Sequence, residues 1–114
     1  MRTITIFALA IAGFASTAQA AVEAVPFEQV RAKAEERLII VSPIAGIENS
    51  LWFDYRINVI EAKKELASDL RGSSDSEDLR DSWEEYRKEL KGERTHYIRK
   101  MAKRGFRAGT VSVG

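Results

Sequence analysis

Two stretches of this chain carry the same hydrophobic rhythm on either side of a short polar turn, and that repetition limits the folds open to it. Trp52, Tyr55, Val59, Ala62, Leu66 and Leu70 step by alternating threes and fours, and so do Leu79, Trp83, Tyr86 and Leu90, with Tyr97 and Met101 continuing the line. Such spacing gathers each set on one face of an α-helix, at the seam positions of a short coiled coil. Between them lies Ser73-Ser74-Asp75-Ser76, a polar turn preceded by Gly72. Folding back at that turn sets Leu70 opposite Leu79, Leu66 opposite Trp83, Val59 opposite Leu90 and Trp52 opposite Tyr97. The one mismatch puts Arg94 opposite Tyr55, where a guanidinium can lie on the ring.

The predicted fold is therefore all-α, with an antiparallel helical hairpin over about 49–71 and 75–104. Gly72 is placed to take a left-handed cap after the first of these helices, and Gly105 after the second. Ser74 and Glu77 have the spacing of a capping box, serine and glutamate each satisfying a backbone N–H of the other. Gly92 weakens the last helix by ~1 kcal/mol relative to alanine.

A shorter helix is expected over about 26–42, where Phe27, Val30, Ala34, Leu38 and Val41 recur at helical spacing behind Pro26. Ser42-Pro43 ends it, because proline disfavours helix in the residue before it. A strand at Leu38-Ile39-Ile40-Val41 is the competing reading, but no second strong strand exists to pair with it. A connector follows, with Gly46 in it and a helical turn of its own. Leu51, Phe53, Ile57 and Ile60 widen the apolar stripe of the next helix beyond one seam. The expected use of that surplus is to dock the first helix at the base of the hairpin through Leu38, Ile39, Val41, Ile44 and Ile47.

The N-terminus has the form of a secretory signal: Met1-Arg2, an uncharged apolar run from Ile4 to Ala15, and the small-x-small exit Ala18-Gln19-Ala20. That run is shorter than the ~20 apolar residues a membrane-spanning helix needs. Cleavage after Ala20 is expected, with residues 21–25 a short linker, 26–104 one helical domain and 105–114 a flexible tail. The expected address is periplasmic or secreted, in a bacterium. No disulfide can staple a domain this small, since the chain has no cysteine, and apolar packing or a partner must supply the stability.

Composition removes several chemistries. Cysteine nucleophiles are absent, and the single histidine, His96, sits in mid-helix without a Gly-x-Ser-x-Gly elbow anywhere. One histidine and no thiol are too few for an ordinary zinc site. The acids Asp75, Glu77, Asp78 and Asp81 lack the glycine and terminal glutamate of a calcium loop, and match instead the positive end of a helix dipole. Asp54, between Phe53 and Tyr55, is the acid best placed for a carboxylate-based reaction, in a unit with little room for a cleft. No catalytic residue, cofactor or metal is expected.

Charge is arranged unevenly. Asp75 to Glu89 is predominantly acidic, whereas Lys91 to Arg107 holds seven basic residues against Glu93 alone. The whole chain has a formal charge of +1, and Arg2 leaves with the signal, so the remainder is formally neutral. Arg94, Arg99, Lys100, Lys103, Arg104 and Arg107 form a candidate surface for an anionic partner. The expected function is a non-catalytic interaction module that binds another envelope or secreted protein, or self-associates. The alternative is a peripheral binder of anionic lipid or lipopolysaccharide through the basic end; nucleic acid is not expected in that compartment.

Overall fold

The computed structural model describes residues 25–107, so the signal reading at 1–20, most of the 21–25 linker and the tail from 108 onward lie outside the described residues. Within them the protein is all-helical: α1 (Phe27–Glu36), a 3₁₀ turn (Ile44–Gly46), α2 (Ser50–Gly72) and α3 (Ser76–Lys103). Asn49 starts α2, its side chain accepting the Trp52 N–H at 3.0 Å. Such a cap satisfies one of the N–H groups that the first turn leaves without a helical partner.

The buried residues are those of the two stripes. Trp52, Tyr55, Val59, Ala62 and Leu66 from α2 join Trp83, Tyr86, Leu90, Tyr97 and Met101 from α3 in one core, with Ala32 and Ile44 added. Residues early in α2 meet residues late in α3: the Trp52 and Tyr97 rings lie 5.8 Å apart, and Asn58 donates to Glu93 at 2.9 Å. Tyr55 stacks on Tyr97 with centroids 5.0 Å apart and planes 14° from parallel. This aromatic trio fills the place expected for an Arg94–Tyr55 contact.

Several local expectations are corrected. The first helix ends at Glu36, six residues short of the predicted 42. Arg37 and Leu38 turn, and the β-branched residues 39–41 are in neither helix nor strand. Neither helix nor sheet satisfies this segment. The Ile40 N–H donates to the Tyr55 hydroxyl and the Ile44 N–H to the Tyr97 hydroxyl, each at 2.9 Å. Gly72 lies inside α2 and keeps a negative φ; the left-handed residues are Ala45, Gly46 and Gly105. Asp75, not Ser74, caps α3 by accepting the Asp78 N–H at 2.8 Å, and Asp78 in turn accepts from the Ser74 N–H and hydroxyl. The predicted capping box is replaced by a staggered arrangement, in which Asp78 reaches back one residue beyond the cap.

Gly105 takes its predicted cap role. With φ at 92°, it lets its own N–H reach Ala102 O and the Phe106 N–H reach Met101 O, the two crossed bonds of a Schellman ending. Phe106 packs on the core beside Met101, so the expected flexible tail begins no earlier than Arg107.

The largest correction concerns α1. It lies along α3 and touches α2 little. Lys33 sits over the Trp83 ring at 5.4 Å, the Tyr86 hydroxyl donates to Glu36 at 2.6 Å, and Arg94 donates to Glu35 at 3.0 Å. The contacts with Trp83 and Tyr86 lie away from the base where docking was expected, and only Arg94 adjoins it. Of the residues predicted to dock, Ile44 is buried and Ile39 and Ile47 pack partly, whereas Leu38 and Val41 stay exposed.

The tyrosine hydroxyls give a direct test of the connector's anchoring. Tyr97→Phe keeps the ring stack but strands the buried Ile44 N–H, so it is expected to lower unfolding stability by about 1–2 kcal/mol. Chemical denaturation measures it, and an unchanged midpoint would show that the hydroxyl is not what holds the connector.

Candidate functional site

Two faces of α2 differ sharply, and the difference begins in its sequence. Phe53, Ile57, Ile60 and Lys64 recur at helical spacing and share one flank. Because α1 goes to α3, nothing among the described residues covers that flank: Phe53 is 47% exposed, Ile57 52% and Ile60 47%, and Val41 on the connector reaches 87%. The connector and α2 border a groove of about 300 Å³, floored by Ile39, Ile40, Val59 and Ile60. Arg56 and Lys63 stand at its edge. Arg56 also lies over the Trp52 ring at 5.7 Å, so its position is set by a cation–π contact.

The opposite flank is acidic. Glu61 and Glu65 of α2 and Glu89 and Glu93 of α3 border a groove of about 180 Å³ with Asn58 and Ala62. Farther along, Asp69, Asp78, Asp81 and Glu85 line a second hollow near the turn. Burial, then a hydrogen bond to Glu65, then the charges of Glu65, Glu85 and Asp69 push the Glu89 carboxyl up to about 7. Donor oxygens of Glu65, Glu85 and Glu89 lie within 4.8 Å of one another, which makes them the side chains among the described residues that could hold a metal ion. Oxygen-only donors suit magnesium, calcium or manganese. In the absence of a cation, a proton on Glu89 relieves the same repulsion.

The sequence-predicted basic residues separate into groups. Arg94 is only partly exposed, and its guanidinium is paired with Glu35, itself buried, at 2.9 Å. Removing it would leave a buried carboxylate uncompensated, so its role is to hold α1. Arg99, Lys100, Lys103 and Arg104 are exposed and make no ion pair among the described residues. Arg107 has an interaction partner of its own. Arg99 also borders a shallow hollow of about 400 Å³ over Gly92, together with Lys88 and Lys91. A search for basic runs misses that hollow, since Lys88 lies in the acidic half; it depends on glycine leaving a notch in the helix surface.

His96 is exposed, and with Asp54, Glu93 and Tyr97 it borders a cavity of about 160 Å³. That is below the ~300 Å³ at which small-molecule sites begin. Arg94 does not line this cavity. Among the described residues no helix is long and apolar enough to cross a membrane. No known protein family, curated protein or solved structure matches the chain.

The acidic groove predicts a pH dependence of known sign. The folded-state value of Glu89, near 7, lies above the ordinary 4.5, so its contribution to stability is complete below 4.5 and is lost as pH rises through 7. Glu89→Gln removes that loss. Its melting temperature should exceed the parent's by a few degrees at pH 8 and match it near pH 4.5. Equal gaps at both pH values would mean that Glu89 does not titrate in this way.

Proposed function

We propose that this chain is an exported, non-catalytic protein-interaction module of the bacterial envelope. In this reading residues 1–20 are removed as a secretory signal and the remainder folds as one domain. Its α2 and α3 form an antiparallel hairpin, supported by the Trp52–Tyr97 and Asn58–Glu93 contacts across a three-residue link. The observation that carries the proposal is the uncovered stripe of Phe53, Ile57 and Ile60 with Val41 beside it. Contiguous apolar surface of this kind marks an interface more often than it marks anything else. The small cavity at His96 gives no comparable support to a catalytic reading.

Photo-crosslinking in the producing cell tests the assignment. A benzophenone residue in place of Ile57 should give a discrete adduct with one partner, or a dimer of this chain, and the same residue in place of Lys91 on α3 should give none. Diffuse labelling from both positions, or none from either in a strictly monomeric protein, would remove the basis for an interface at this stripe.

A second reading rests on a separate observation, the four exposed cations Arg99, Lys100, Lys103 and Arg104 without ion pairs among the described residues. It makes the end of α3 a contact for anionic lipid or lipopolysaccharide. Flotation with phosphatidylglycerol vesicles should then be strong at low salt and fall steeply as salt screens the charges. Salt-insensitive flotation, or none, excludes it.

A further inference from the structure

We propose that the bare flank of α2 receives an acidic amphipathic segment of a partner protein, with apolar side chains on the stripe and carboxylates on Arg56, Lys63 and Lys64. The inference rests on the interaction-module reading and adds the chemistry of the partner. It comes from how α2 sorts its charges. The acids Asp54, Glu61, Glu65 and Asp69 all border cavities shared with α3. The bases Arg56 and Lys63 border the apolar groove, and Lys64 shares the stripe of Ile57 and Ile60. One side of a single helix is thus apolar with a cationic edge, and the other is acidic.

That sorting discriminates among occupants. A second copy packed face to face on the same flank would bring the Arg56, Lys63 and Lys64 of both copies into one interface with no carboxylate from this flank between them, and like charges across an interface oppose it. A second copy offering its acidic groove would match the charges but bring little to cover the stripe, since that groove is bordered by Asn58, Glu61, Glu65, Glu89 and Glu93, with only Ala62 apolar. Such a head-to-side contact would also propagate into open chains. The site is a groove between the connector and α2, about 300 Å³ in volume. A concave apolar floor takes protruding side chains spaced along a helix better than it takes the flat face of a bilayer.

The test uses the chain expressed with its own N-terminus and purified from the envelope fraction. The probes are synthetic amphipathic peptides of ~15 residues, about four helical turns. One carries leucine on one face and glutamate on the other; a second replaces glutamate by lysine; a third replaces leucine by serine. Fluorescence anisotropy should show binding of the leucine–glutamate peptide only. Lys63→Glu with Lys64→Glu should weaken it about tenfold, and Lys91→Glu on α3 should leave it unchanged. Lys63→Ala with Lys64→Ala provides a milder version should the reversed charges disturb folding, with helicity followed by circular dichroism.

Equal binding of the lysine peptide would overturn the charge argument while leaving an apolar interface standing. Absence of peptide binding alongside a cross-linked partner at Ile57 would overturn the inference and spare the interaction-module reading. Phosphatidylglycerol vesicles that bind through Lys63 and Lys64 when the peptides do not, or self-association abolished by Ile57→Glu, would replace the acidic segment by a membrane or by a second copy.

Discussion

Two stacked tyrosines decide where the middle of this chain can go. Tyr55 and Tyr97 come from different helices, stack with centroids 5.0 Å apart, and turn their hydroxyls toward the connector, where each accepts a backbone N–H. A connector with only one 3₁₀ turn has backbone groups that must find partners where it is buried. Here the tyrosines serve as those partners, and in doing so they pin the chain at Ile40 and at Ile44. Burial raises both phenol pKa values above the ordinary range, so the hydroxyls stay neutral acceptors. With the connector fixed over the α2–α3 contact, α1 is left on the α3 side, and the apolar flank of α2 loses the cover that a longer first helix would have given it.

Polar contacts then hold α1 in that place with little help from apolar area. Its buried positions are only Ala32 and Glu35, while Phe27 and Val30 remain largely exposed. The Glu35–Arg94 pair, the Tyr86–Glu36 hydrogen bond and the Lys33–Trp83 contact each join one turn of α1 to one turn of α3. Buried or half-buried pairs of this sort contribute modestly to stability, but breaking one leaves an unpaired charge behind. They fix the register of α1 more than they strengthen it.

What could be read from the sequence follows from range. The two stripes and their buried members depend on helical periodicity alone, so Trp52, Tyr55, Trp83, Tyr86 and Tyr97 were identifiable as core before any coordinates. The Gly105 ending was likewise legible, because a left-handed glycine after a periodic run has few other uses. The end of α1 was not. Its last six predicted residues keep helical spacing, and only the distant hydroxyls of Tyr55 and Tyr97 make a non-helical path satisfiable. The partner of Arg94 was hidden for the same reason: a basic residue within a basic run gives no sign of Glu35, which comes to it from a separate helix. The sorting of charge about α2 was present in the sequence but invisible until the positions of α1 and α3 showed which flank was bare.

A small domain without disulfides has a narrow margin of stability, and this sharpens the meaning of its uncovered stripe. Phe53, Ile57 and Ile60 contribute little to the core, since each keeps about half its surface in water. Polar residues there would leave the seam intact, because the seam is made by Trp52, Tyr55, Val59, Ala62 and Leu66 on another face. The stripe therefore has no structural reason within the described residues, and its exposure favours non-specific association unless something covers it. Cations on the stripe and along its edge limit what that something can be. They repel a like-charged copy of the same face and attract carboxylates, so the geometry that leaves the flank open also makes it selective.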